Sequence, residues 1–88
     1  AHEVGRLMRQ LGHSRQVLAV THLAQVAACA NHHYQVSKTP GSAKQAIASS
    51  AVTQLAPQAR LHEIARMLGG SAQSQASLEH AREMLEQA

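Results

Sequence analysis

The sequence contains no aspartate; its five acids are all glutamates, Glu3, Glu63, Glu79, Glu83 and Glu86. An aspartate-based magnesium site therefore cannot come from this chain. Tryptophan and phenylalanine are missing as well, and Tyr34 is the single aromatic. That argues against a stacking platform for single-stranded nucleic acid, which takes several exposed rings. One cysteine, Cys29, excludes an internal disulfide and fits a reducing compartment, the cytoplasm. The longest apolar stretches, Val17 to Val20 and Val26 to Ala30, fall far short of the ~20 residues a membrane span needs. No signal-peptide layout opens the chain. It also lacks an initial Met, which sets the expectation that it is cut from something longer. No glycine-rich loop of the form G-x-x-x-x-G-K-[ST] is present. Charged residues make up 15%, against roughly a quarter in a free-standing domain. Part of the surface is therefore expected to be covered. At 88 residues a single domain, 1–88, is the ceiling.

The positive balance is mild. A formal charge of +3 comes from Arg6, Arg9, Arg15, Lys38, Lys44, Arg60, Arg66 and Arg82, scattered with no block of like charge. Val4, Leu7, Met8 and Leu11 recur at i, i+3, i+4 and i+7, one face of a helix over residues 3–11. Gly12 stands where a left-handed cap would end it. Residues 16–21 form a short continuous apolar run rich in β-branched side chains, the pattern of a strand buried on both faces. Leu23, Val26, Ala27 and Ala30 return to helical spacing. Residues 33–37 alternate, with Tyr34 and Val36 on one face, as in a half-exposed strand. Thr39-Pro40-Gly41-Ser42 reads as a turn, and residues 45–53 as a bulged or irregular strand. Pro57 suits the first turn of a helix whose stripe is Leu61, Ile64, Ala65 and Leu68, stopped by Gly69-Gly70. Ser74 or Ser77 caps a last helix carrying Leu78, Ala81 and Leu85, with Glu79 in its first turn. The expected fold class is α/β: one buried strand plus a β-hairpin, with about four helices. Such a lone strand makes a poor sheet, so a partner sheet is missing.

The informative residue is His22. It follows Val20 and Thr21 at the C-terminal end of the buried run, where open α/β sheets place their ligands. The competing reading is that it caps the following helix or bonds a backbone group. Cys29, His32 and His33 form C-x-x-H-H, half of a zinc pattern. Structural zinc takes four ligands in paired spacing, and no second pair stands out, so no metal site is assigned. Arg60, Glu63 and Arg66, at i, i+3 and i+6, read as a solvated ion-pair face, with a nucleotide contact by Arg60 as the sharper alternative. His62 and His80 lie off their helices' apolar stripes and read as solvated. Met8, Met67 and Met84 read as core or interface filler.

Three blocks resemble one family. Val20-Thr21-His22-Leu23-Ala24-Gln25-Val26-Ala27, with Tyr34-Gln35-Val36-Ser37-Lys38 downstream, resembles the switch-histidine loop of the RecN family. These are bacterial DNA-break repair proteins related to the SMC branch of the ABC-type ATPases. Ala59-Arg60-Leu61-His62-Glu63-Ile64-Ala65-Arg66-Met67-Leu68-Gly69-Gly70 resembles the C-terminal segment of that family, and residues 3–12 the helix after its D-loop. The chain departs from the pattern at Ala24, where the family usually has proline, a change to helix entry rather than chemistry.

The resemblance implies the C-terminal lobe fragment of a P-loop ABC-type ATPase head. It implies ATP and magnesium as cofactors of the full-length parent, neither held by this fragment alone. His22 then falls at the catalytic switch-histidine position, contacting the γ-phosphate, and Thr21 at a weaker nucleotide-site position. The implied partners are the remainder of the head, a homodimer through ATP-bound heads, and DNA through the parent, with no membrane. The implied setting is the cytoplasm in association with the nucleoid, and the process DNA damage repair and recombination. The alternative, of a different class, is a small basic α/β module binding nucleic acid or a partner protein without ATP.

Overall fold

The computed structural model describes residues 1–39, 41, 49–69 and 74–88. Their order is α1 (His2–Leu11), α2 (Ala24–Ala28), β1 (Tyr34–Thr39), β2 (Ser49–Gln54), α3 (Pro57–Gly69) and α4 (Gln75–Gln87). The described residues thus form a mixed helix and strand piece with one hairpin and four helices.

The core lies where three helices meet. Ala24, Ala27 and Ala28 of α2 pack on Leu61, Ile64 and Ala65 of α3 and on Ala81 of α4. Alanine side chains let the helix backbones approach closely, and Ile64 is the one large side chain wholly withdrawn from solvent among the described residues. Met67, Leu68, Leu78, Met84 and Leu85 close the rim of this core, so Met67 and Met84 fill it as expected. Ser74 caps α4, its Oγ accepting from the Ser77 backbone N–H at 3.2 Å. With the cap there, Glu79 falls beyond the first turn; it accepts instead from Gln75 Nε2 at 3.1 Å, a pair four residues apart.

β1 and β2 pair antiparallel from Tyr34↔Gln54 to Thr39↔Ser49, with Val36 opposite Val52. Leu55 N donates to His33 O at 2.8 Å and extends the ladder by one step toward the core. β2 is regular rather than bulged; residues 45–48 of the expected strand lie outside the described residues. So do Pro40 and Ser42 of the expected turn, and Gly70 of the expected stop.

Two expectations are overturned. Residues 16–21 join no sheet among the described residues; Leu18 is 87% and Val20 98% exposed. A strand needs a neighbour for its backbone N–H and C=O groups, and the hairpin supplies none here. Gly12 takes φ −65° and ψ −15°, right-handed rather than left-handed. The end of α1 unwinds through further right-handed turns, with His13 N bonding Gln10 O and Arg15 N bonding Leu11 O, so no chain reversal demands positive φ.

The side of α1 that docks is set by Gly5. A Cβ there would stand 2.8 Å from Cys29 Sγ and 3.2 Å from the Val26 Cα, so only glycine admits α2 this closely. Docking through Gly5 leaves the apolar stripe of α1 uncovered, with Val4, Leu7 and Leu11 about half exposed.

Candidate functional site

The site begins where the extended run meets α2. Leu23 is extended at φ −96° and ψ 118° and forms the N-cap of α2. Its N–H donates to Thr21 Oγ1 at 3.0 Å, a side-chain turn that swings the chain from extended to helical across His22. The backbone-bonding role weighed for His22 thus belongs to Thr21. His22 itself is exposed and makes no hydrogen bond to the described residues.

Both residues line a cleft of about 1190 Å³. One wall is the run 16–22; the others come from Met8 of α1, Val26 of α2, Tyr34 of β1 and Met67 of α3.

Behind α2 stands an anchor that periodicity does not reveal. The five-residue α2 has no basic side chain in its last turn and ends at Cys29 in right-handed geometry. Its final carbonyls are taken by Arg60 from α3: Nη2 donates to Ala27 O at 3.1 Å, Ala28 O at 3.3 Å and Ala30 O at 2.7 Å. Burial lowers the Arg60 pKa from its ordinary value, the nearby Arg9 lowers it further and Cys29 opposes. Through Nη2 the Arg60 guanidinium serves the backbone at the end of α2 rather than a solvated ion-pair face.

One turn along α3, Glu63 is buried rather than solvated. Its carboxylate accepts from Arg66 Nε, from Arg66 Nη2 at 3.1 Å and from Gln35 Nε2 at 3.0 Å, which ties β1 to α3. The Arg66 hydrogen bond is the main reason the Glu63 pKa lies below its ordinary value; burial opposes it, and the charges of Arg66 and His33 and the Gln35 bond assist. The pair raises Arg66 in turn. His33 sits between these groups, its pKa lowered first by burial and then by Arg60, with Glu63 pulling the other way. His33 Nδ1 and Arg60 Nε are buried without a hydrogen-bond partner among the described residues. Cys29 is buried, its Sγ directed to Gln25 O at 3.4 Å. His62 is half-buried beside Gln58, 3.2 Å between their nitrogens, rather than solvated. No group of three His, Cys, Asp or Glu residues with metal-holding geometry occurs among the described residues.

Arg60 and the burial of Glu63 were missed by sequence reasoning. The available signal was α2 itself, a short helix with neither glycine nor a cation of its own at its C-terminus. Among the described residues, Arg60 and Arg66 are bonded within the fold, Arg60 to backbone carbonyls and Arg66 to Glu63, which reduces the free positive charge that a nucleic-acid module would use.

The described residues thus form a mixed α/β segment in which an apolar extended run delivers a Thr-His pair to a helix start, beside an open cleft. No family model matches it. Over 82 residues it is 50% identical to the DNA repair protein RecN of Deinococcus radiodurans, covering 93% of this chain and 14% of that protein. The RecN of Vibrio cholerae is 43% identical over 82 residues, again 93% of this chain and 14% of that one. That of Xylella fastidiosa is 55% identical over 67 residues, 76% of this chain and 12% of that one. The chain is a RecN-like segment, as the three sequence blocks implied, and it spans about one seventh of the length of the curated relatives it matches.

Proposed function

We propose that this chain is the C-terminal part of the ATPase head of a RecN-like DNA repair protein, and that it contributes His22 to the ATP site. The observation that carries the reading is the position of His22. It is exposed at the end of the 16–21 run, beside the hydroxyl turn of Thr21, with its ring uncommitted to any described residue.

Phosphoryl transfer asks little covalent chemistry of a protein; positioned donors stabilise charge on the phosphate oxygens. An imidazole N–H is such a donor. The residues present fit this partial role and no larger one. The chain has no aspartate and no phosphate-cradling loop, so the nucleotide and its magnesium are held by residues outside it. ATP supplies the transferable γ-phosphoryl group; His22 supplies one hydrogen bond to it, and Thr21, whose hydroxyl is engaged by Leu23 N, orients that histidine. The isolated chain neither binds ATP well nor hydrolyses it.

The cleft and the bare run belong to the same reading. Strands from the remainder of the head pair with residues 16–21 and cover Leu18 and Val20. The head pairs with a second copy through ATP, and the full protein acts on DNA breaks in the cytoplasm, at the nucleoid. No helix among the described residues is long and apolar enough to cross a membrane.

The test is His22→Ala in the full-length protein. ATP hydrolysis falls by about a hundredfold, the scale of losing one preorganised donor, while ATP affinity and melting temperature stay within error. Unchanged turnover would remove His22 from the site.

A further inference from the structure

We infer that Arg60 is a positioning residue for His22, acting from α3 through the length of α2. The inference rests on the proposed role of His22 for its consequence in turnover, and on geometry for the anchor itself. A five-residue helix has too few internal hydrogen bonds to hold its own shape. Here it is the middle of a chain of bonds. Arg60 Nη2 donates to Ala27 O at 3.1 Å, Ala27 N donates to Leu23 O at 3.0 Å, and Leu23 N donates to Thr21 Oγ1 at 3.0 Å. Thr21 is the residue before His22, so the guanidinium and the imidazole stand at the two ends of one connected element.

The other contacts of α2 leave Arg60 as its polar anchor. Toward α1 it meets Gly5, a close approach without hydrogen bonds; toward α3 and α4 it meets apolar side chains. Such contacts allow a short helix to slide or turn. Hydrogen bonds from one guanidinium nitrogen to three carbonyls fix its axial position and close its C-terminal end. The guanidinium is itself held, reaching across from a helix whose next residue, Leu61, is in the core. A positioned donor loses most of its effect when displaced by an ångström, so the anchor matters at the far end of α2.

The experiment uses the full-length protein with Arg60→Met, which keeps the aliphatic stem and removes the donors, and Arg60→Lys, which restores one cation. Hydrogen–deuterium exchange is followed in peptides spanning residues 21–29 and in α4. In Arg60→Met, exchange of 21–29 rises about tenfold or more, the expected effect of losing charge-assisted bonds, while α4 is unchanged; Arg60→Lys recovers most of the protection. ATP turnover of Arg60→Met falls about tenfold or more with KM within about twofold, and adding Arg60→Met to His22→Ala changes turnover no further. Unaltered exchange in 21–29, or an equal rise in α4, overturns the anchor. Loosened 21–29 with full turnover, in a protein that His22→Ala inactivates, overturns the positioning role. If His22→Ala retains full turnover while the exchange pattern holds, the reading of His22 falls and the anchor stands.

Discussion

His33 shows how little of this protein's polar interior is visible from composition. Seven histidines in 88 residues suggest a chain that responds to mild acid, yet the effect on folding depends on which of them are enclosed. The pKa of His33 is lowered from its ordinary 6.5, by burial first and Arg60 second. The unfolded chain therefore takes up this proton more readily than the folded one. Its contribution to stability is complete above pH 6.5 and is lost as pH falls through the folded-state value. Glu63, lowered from 4.5, acts in the same direction at more acid pH. Thermal melts between pH 7 and 2 should show a falling melting temperature, first below pH 6.5 and again below pH 4.5, and His33→Gln should remove the first fall while sparing the second. An identical pH profile in that variant would contradict the enclosure of His33. The polar residues singled out differ in how legible they are from sequence. The proposed role of His22 rests on a run of neighbours, Thr21-His22-Leu23, that forms a local pattern. The bonds of Arg60 and Glu63 are less legible, because their partners, the carbonyls of Ala27, Ala28 and Ala30 and the Gln35 amide, are remote in sequence; the uncapped end of α2 is the one local hint. Helical periodicity places a side chain on a face without saying what lies opposite.

Elements whose stability is local were readable in advance. The period of Leu61, Ile64, Ala65 and Leu68, Pro57 in the first turn and a serine cap placed α3 and α4, and alternation around Tyr34 and Val36 placed β1. The run 16–21 was read as a buried strand and is bare. Its composition is that of a strand, but a strand is a property of a pair, and its neighbours are not among the described residues. For α1 the periodicity gave the helix correctly and the docking face incorrectly. The face chosen is that of Gly5, where the absence of a side chain, not the presence of an apolar one, permits contact. Gly5→Ala therefore forces α1 and α2 apart, at a cost of about 1–3 kcal/mol for an overpacked contact. Chemical denaturation of the chain would read this as a lower midpoint with an unchanged slope. A variant as stable as the parent would show that α1 docks otherwise. Ser74→Ala, removing the cap of α4, should cost ~1 kcal/mol by the same measurement; no loss would mean that α4 starts elsewhere.

At the scale of the molecule, exposed and buried apolar surface tell one story. The core is small, built mostly of alanines around Ile64. Larger side chains stand outside it: Val4, Leu7 and Leu11 on α1, Leu18 and Val20 on the run, Tyr34, Val36 and Val52 on the hairpin. The low charged fraction set the expectation that surface of this kind is covered. Under the proposed reading, the remainder of a RecN-like head covers these side chains; the chain spans about one seventh of the relatives it matches. The central claim, that these residues complete an ATPase head, is tested most directly by sequencing the reading frame on the N-terminal side of Ala1. The account predicts a G-x-x-x-x-G-K-[ST] loop, a signature motif, and a strand ending in acidic residues only about a dozen positions before Ala1. A frame that opens with a start codon near Ala1 would contradict it, and the small binding module would then be the better reading of the same fold.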